Sequence, residues 1–173
     1  MRPRPLIPRE DLARRVRELG GSIARDHDRD HAGRPLVLIA LMDGAFCFAA
    51  DLVRSIDLDD LTLVFHPVRS YRGTESTGTV ACEPLSGLAG RRVLVVDDIL
   101  DSGRTLATVL AAVARAGASS ASSCVLLDKP MRRVDAGQAT ADYIGFTVPD
   151  VFVVGYGLDH DGRWRHLPDV CVI

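Results

Sequence analysis

Thirteen consecutive residues constrain this chain more than any other stretch: Val93-Leu94-Val95-Val96-Asp97-Asp98-Ile99-Leu100-Asp101-Ser102-Gly103-Arg104-Thr105. Four β-favouring apolar residues in a row read as a buried strand, and the run then breaks into acids. Asp101, Ser102 and Gly103 make a small polar loop. Beyond it Leu106, Val109, Leu110 and Val113 recur at helical spacing until Gly117 supplies a stop. Strand, acidic tip, small-residue loop and helix start together form a seat for an anion. Backbone N–H groups at the helix start point outward, Gly103 lets a phosphate approach, and Ser102 and Thr105 add hydroxyls. The carboxylates beside that seat repel a bare phosphate, so a metal ion or sugar hydroxyls must mediate. A phosphorylated ribose, carrying phosphate and cis-diol and accompanied by a divalent cation, meets those demands. A Walker A loop is excluded, because no Gly-Lys-Ser/Thr ending is present. A single glycine also excludes a dinucleotide fingerprint.

The chain has 173 residues, enough for one domain with a substantial core, and the reading is a single domain over residues 1–173. A net charge of −2 argues against nucleic-acid or membrane binding driven by bulk electrostatics. The four cysteines, Cys47, Cys82, Cys124 and Cys171, include no C-x-x-C pair, which fits reduced thiols rather than a zinc or disulfide framework. The segment from Met1 to Asp11 is rich in Pro and Arg and has no apolar core, so it does not read as a secretory signal. The longest aliphatic run, Leu36 to Met42, is too short to span a bilayer. A cytoplasmic protein is the expectation.

In chain order, Leu12, Val16, Leu19 and Ile23 give an amphipathic first helix, which Gly20-Gly21 should weaken midway. His27 and His31 stand four apart in a charged stretch that reads as a solvated face. Leu36 to Leu41 is a buried strand followed by Met42-Asp43-Gly44-Ala45 and a helix with Ala45, Ala49, Leu52, Val53 and Ile56 on one face. Leu61 to Val68 is a strand, with Pro67 marking its end or a sheet edge. Residues 70–80 form a polar, glycine-punctuated stretch expected to be a mobile active-site loop, and Val80 to Pro84 a strand beyond it. Further strands are expected at Ser119 to Leu127, Tyr143 to Val148 and Val151 to Val154, the last closed by Gly155-Tyr156-Gly157. Alternating strands and helices imply a mainly parallel sheet covered on both faces. Ligands in such sheets sit beyond the carboxyl ends of the strands, where Asp43-Gly44, Asp97-Asp98 and Lys129 all fall.

The thirteen-residue stretch closely resembles the phosphoribosyl-pyrophosphate motif of type I phosphoribosyltransferases. Over most of the chain, from about Leu36 onward, the order of signals resembles the hypoxanthine-guanine branch of purine salvage. The marks are Met42-Asp43-Gly44-Ala45, Ser70-Tyr71 with Ser76-Thr77-Gly78, Leu127-Asp128-Lys129-Pro130, Ile144-Gly145-Phe146 through Pro149-Asp150, and Phe152-Val153-Val154-Gly155-Tyr156-Gly157-Leu158-Asp159 followed by Arg165. The resemblance implies an α/β fold of the type I phosphoribosyltransferase kind, with a central mainly parallel sheet flanked by helices and a small hood built from the chain ends. It also implies Mg²⁺-dependent transfer of the phosphoribosyl group from phosphoribosyl pyrophosphate to hypoxanthine or guanine, giving IMP or GMP and pyrophosphate. A homodimer or homotetramer is expected on the same ground.

The family's roles fall on this chain as follows. Asp97 and Asp98 hold the ribose hydroxyls and the metal-bound substrate, and Asp159 anchors a second magnesium through pyrophosphate, since Mg²⁺ binds through one or two carboxylates plus substrate oxygens. Arg165 grips the leaving pyrophosphate as a fork. Asp43 and Gly44 meet pyrophosphate through backbone, often across a non-proline cis bond, at a position where relatives often carry Lys or Arg. Asp101 lies by the purine N7 as general base. Ser102, Gly103, Arg104 and Thr105 cradle the 5′-phosphate. Lys129 donates to the 6-oxo group, Phe152 stacks on the purine, Val153 offers backbone contacts, and Leu158 and Asp159 border the base. Ser70 contacts phosphoribosyl pyrophosphate, and Tyr71 closes over the reacting centre.

Two other classes compete. A phosphoacceptor receiver domain also carries an Asp-Asp pair at a strand end and a later Lys-Pro. There the acids come early in the chain, whereas 92 residues precede Val93 here. A ligand-sensing regulator on the same fold usually carries a DNA-binding domain or a basic RNA face, and this chain has no winged-helix pattern and no net positive charge. Asp101 and Tyr71 favour the enzyme.

Overall fold

The computed structural model describes residues 2–31, 34–70, 80–133 and 140–173. In chain order the elements are β1 (Arg4–Ile7), α1 (Arg9–His31), β2 (Leu36–Met42), α2 (Phe46–Val53), β3 (Leu61–Ser70), β4 (Val80–Cys82), β5 (Arg92–Leu100), α3 (Arg104–Arg115), β6 (Ser120–Asp128), β7 (Tyr143–Thr147), β8 (Val153–Val154) and β9 (Val170–Val172). The main sheet runs β4-β3-β2-β5-β6-β7. Strands β3, β2, β5, β6 and β7 are mutually parallel, and β4 closes one edge antiparallel to β3.

The central strands are apolar throughout because both of their faces are covered. Leu36, Leu38 and Ala40 of β2 pack with Leu94 and Val96 of β5 under α1 and α2. Their neighbours Val37, Ile39, Leu41, Val93 and Val95 turn the other way, against Leu106, Val109 and Val113 of α3. The period of two along each strand thus builds two cores from one sheet.

The first helix is longer than the sequence suggests. Leu12, Val16, Leu19 and Ile23 are 1–3% exposed, and burying each is worth about 1.5–3 kcal/mol, against roughly 1 kcal/mol lost at each interior glycine. Packing wins, and the helix runs unbroken through Gly20-Gly21. Gly20 serves a close approach: a Cβ there would lie 2.4 Å from the Ser55 carbonyl oxygen just beyond α2. From the same helix, Arg15 donates through Nε to the Gly145 carbonyl and through Nη2 to the Ile144 carbonyl, both on the outer strand β7.

Strand β5 also differs from expectation. It does not end at the acids but continues to Leu100, with Asp97 opposite Val125 and Ile99 opposite Leu127. Pro67 lies inside β3, opposite Met42. The β3–β4 pairing begins one residue later, at Val68, so Pro67 is flanked by a strand on the β2 side alone.

A second, three-stranded sheet, β1-β9-β8, forms a hood beside the main one. Arg4 pairs with Val172, and Val153 pairs with Val172 from the other side. The hood drawn from the chain ends is expected from the resemblance, but local pattern does not mark β1, whose Arg-Pro-Leu-Ile takes its strand form from β9. The expected strand at Val151 to Val154 shrinks to Val153–Val154 within this hood. Asp169 ties the hood to the body by accepting the Arg9 N–H at 2.8 Å, at the start of α1. No helix among the described residues is long and apolar enough to cross a membrane.

Candidate active site

The strand order reverses beside β2. The chain passes from β2 to β3 on one side, and β5 then joins β2 on the other. Such a switch point leaves a crevice beyond the carboxyl ends of the two strands. Residues 42–45 and the acids of β5 form its walls. The Met42–Asp43 peptide is cis, as the family resemblance implies. Gly44 lies directly against Asp98, and an added Cβ would stand 1.7 Å from Asp98 Oδ2. Any side chain at position 44 would push the Asp98 carboxylate out of its place.

Asp97 is buried, and its Oδ1 accepts the Asp98 N–H at 3.0 Å. Asp98 Oδ1 accepts the Ile99 N–H at 2.7 Å. Burial first, and then the charge of Asp98, push the Asp97 carboxyl well above its ordinary value. Burial also raises Asp98, against the opposing pull of its hydrogen bonds and of the Arg165 charge. Two adjacent carboxyls drawn out of water and facing one crevice ask for a cation or for hydroxyl donors.

Beyond β5, Gly103 takes a φ of 82° and turns the chain into α3. Ser102 Oγ accepts the Arg104 N–H at 3.4 Å. The amides of the first helical turn have no partner within the helix, no acid stands in that turn, and Arg104 is exposed beside it. Ser102 to Thr105 thus form a positive cup next to an acidic wall.

A third group lies beyond the ends of β5 and β6. Lys129, 7% exposed, donates from Nζ to the Val151 carbonyl at 2.7 Å. Burial lowers its ammonium from the usual lysine value, the negative charge of Asp101 opposes that, and Arg132 adds to it. Asp101 Oδ1 is shielded from solvent yet has no hydrogen-bond partner, and its nearest cation is Arg132 Nε at 3.8 Å. Buried acceptors are nearly always satisfied, so this one awaits a donor. Phe152 follows Val151 and is 45% exposed. Its ring meets His160 edge-on at 5.0 Å, and His160 in turn stacks on Trp164. An exposed aromatic face, a buried ammonium with two protons to spare and an unpartnered carboxylate oxygen are the parts needed to hold a flat polar heterocycle.

Arg165 gathers the remaining residues. Its Nη1 donates to the Gly157 carbonyl at 2.7 Å, and its Nη2 lies 2.9 Å from Asp159 Oδ1 and 4.0 Å from Asp43 Oδ2. Asp159 Oδ2 accepts the Gly162 N–H at 2.7 Å. Val153 and Leu158 are buried behind this wall. Asp97, Asp98 and Asp159 do not form a cage by themselves: among the described residues no group of three or more metal-binding side chains converges. Ser70 ends β3 opposite Val80, while Tyr71 and the rest of the expected loop to Thr79 lie outside the described residues. Sequence reasoning passed over Arg132, which bridges Asp101 and Asp150. Its only signal was a basic dipeptide in a loop.

The family model described as the phosphoribosyl transferase domain matches residues 10–161. A hypoxanthine-guanine phosphoribosyltransferase of Aquifex aeolicus is 40% identical over 172 residues, covering 97% of this chain and 93% of the relative. The bifunctional protein TilS/HprT of Listeria innocua is 39% identical over 97% of this chain, which spans only 25% of that longer protein. Among solved structures, a hypoxanthine phosphoribosyltransferase from Staphylococcus aureus superposes with a TM-score of 0.88 at 36% identity, covering 98% of this chain and 90% of that one.

Proposed function

The chain belongs to the phosphoribosyl transferase family, and from that premise we propose that it moves a 5-phosphoribosyl group from phosphoribosyl pyrophosphate to a 6-oxopurine, hypoxanthine or guanine. The products are the nucleoside monophosphate and pyrophosphate. The observation that carries the reading is the shielded, unpartnered Oδ1 of Asp101, set between the phosphate cup at Ser102 to Thr105 and the Lys129–Phe152 pair. A purine N7–H is a donor of the right kind for it.

In this reading the 5′-phosphate sits on the first-turn amides of α3, with Gly103 permitting contact and the Ser102 and Thr105 hydroxyls beside it. Asp97 and Asp98 face the ribose hydroxyls. The bond that breaks joins the sugar's anomeric carbon to pyrophosphate oxygen, so positive charge grows on the ring and negative charge on the leaving group. The two acids stabilise the first, and Arg165 stabilises the second by exchanging part of its contact with Asp159 and Asp43 for phosphate oxygens. Asp101 takes the N7 proton as the new C–N bond forms. Lys129 donates to the 6-oxo group and Phe152 covers the ring, with Val153 and Leu158 behind it. Ser70 is assigned to phosphoribosyl pyrophosphate and Tyr71 to the cover of the reacting centre.

The donor set suits Mg²⁺. The acids are hard oxygen ligands, of which Mg²⁺ takes one or two alongside substrate oxygens. Asp97, Asp98 and Asp159 would hold it, and bound there it neutralises the pyrophosphate charge. We assign the protein to the cytoplasm, as a single domain over residues 1–173 that assembles as a homodimer or homotetramer; sedimentation of the purified protein tests the assembly.

Base choice provides the functional test. A 6-oxopurine presents an acceptor at C6 and adenine presents a donor, and an ammonium has donors only. A site built around such a bond rejects the mismatched base by ~10⁴–10⁵-fold. Assays of kcat/KM with phosphoribosyl pyrophosphate, Mg²⁺ and four purine bases should show hypoxanthine and guanine consumed and adenine ignored. Lys129→Gln should lose most 6-oxopurine activity and relax the bias against adenine. Efficient adenine turnover by the unmodified protein would overturn the assignment of Lys129.

A further inference from the structure

Residues 155–158 hold an unusual local geometry. Gly155, Tyr156 and Gly157 have φ values of 91°, 52° and 98°. Gly155 and Leu158 exchange backbone hydrogen bonds at 2.9 and 3.1 Å across them. Two positive-φ residues closing a bonded pair make a type I′ turn, whose first central position is normally Asn, Asp or Gly. A bulky side chain there is uncommon and persists only where its surroundings hold it.

The hold is visible. Tyr156 Oη donates to Asp51 Oδ2 at 2.6 Å, and Asp51 stands on α2, which begins directly after residues 42–45. The other Asp51 oxygen pairs with Arg54. Burial, and then the bond to Asp51, raise the phenol above its ordinary value, so it stays a donor. Next door, a Cβ on Gly157 would lie 2.5 Å from the Gly44 carbonyl oxygen, and the Gly157 carbonyl accepts Arg165 Nη1. The turn is therefore wedged between the loop holding Gly44 and the arginine proposed to grip pyrophosphate.

We infer that the Tyr156–Asp51 hydrogen bond is a positioning strut that sets the distance between the 42–45 loop and Arg165, and thereby sets affinity for pyrophosphate but not for the purine. The inference rests on the assignment of this wall to pyrophosphate. Phe152 and Lys129 have their own anchors outside the turn, the Ile173 N–H on the Phe152 carbonyl and the Val151 carbonyl under Lys129 Nζ, so the ring-stacking and 6-oxo contacts do not run through the strut.

The test is the split between the two ligands. Tyr156→Phe and Asp51→Ala should each weaken Mg²⁺-pyrophosphate binding, measured calorimetrically, and raise KM for phosphoribosyl pyrophosphate by about 10-fold, the effect of losing a hydrogen bond to a charged group. KM for hypoxanthine should stay within about twofold, since that seat makes no use of the bond. Asp51→Asn keeps an acceptor oxygen and should restore pyrophosphate affinity. It also carries the test, against Asp51→Ala, if Tyr156→Phe does not fold. The double variant should be no worse than either single one. Unchanged pyrophosphate affinity in folded Tyr156→Phe or Asp51→Ala overturns the strut, as does a parallel loss for both ligands. Failure of the unmodified protein to bind Mg²⁺-pyrophosphate overturns the assignment of the wall itself.

Discussion

Asp101 shows how one atom can carry a mechanism. Its Oδ1 is cut off from solvent without a hydrogen bond, an arrangement that costs folding free energy and that the proposed purine donor would relieve. Asp101→Asn replaces the base by an amide of the same shape, and turnover should fall by ~10²–10⁴-fold while pyrophosphate binding survives; single-turnover assays with binding calorimetry decide it. Asp97 gives a prediction about pH. Its carboxyl and that of Asp98 sit above the ordinary aspartate value in the fold, so the folded chain holds protons more tightly than the unfolded one. Their stabilising contribution is present at acid pH and is lost as pH rises through the folded values. Ligand-free Asp97→Asn should therefore outlast the parent in denaturant at neutral pH, and the advantage should shrink on acidification. At this scale the sequence was most legible where chemistry comes in a contiguous run, as from Asp97 to Thr105. It was least legible where partners are distant, as for Tyr156 and Asp51, because a half-buried acid on a helix carries no mark in the sequence of what will reach it.

Among the elements, α1 separates packing from propensity. Gly20→Ala should gain about 1 kcal/mol of helix propensity. The new Cβ would stand 2.4 Å from the Ser55 carbonyl, and relieving such overlap typically costs about 1–3 kcal/mol. The net expectation is a lower Tm with activity per folded molecule unchanged; calorimetry and active-site titration check the two halves. Strands with continuous apolar runs, such as β2 and β5, could be read directly. The ends of β5 could not, because pairing with β6 carries the strand on through Asp97 and Asp98. Strand β1 was invisible for a related reason: four residues including a proline become a strand only when β9 is there to receive them.

For the whole molecule, the order of alternating strands and helices was enough to place the crevice, because any such sheet opens where its strand order reverses. The hood has no comparable signal, since β1 lies more than a hundred residues from β8 and β9. Another whole-molecule property follows from Arg15. An outer strand offers its carbonyls to any stray strand that drifts past, and stacked edges of that kind are how folded proteins precipitate. On β7 the Ile144 and Gly145 carbonyls already accept from a guanidinium reaching down from α1, at the rim a newcomer would approach. A newcomer would have to dislodge a bound cation before it could begin to pair. If the arginine guards that edge, its loss should touch colloidal behaviour and leave catalysis alone. Arg15→Ala should bring light scattering on at lower temperature and lower protein concentration, with kcat/KM of the remaining soluble protein unaltered.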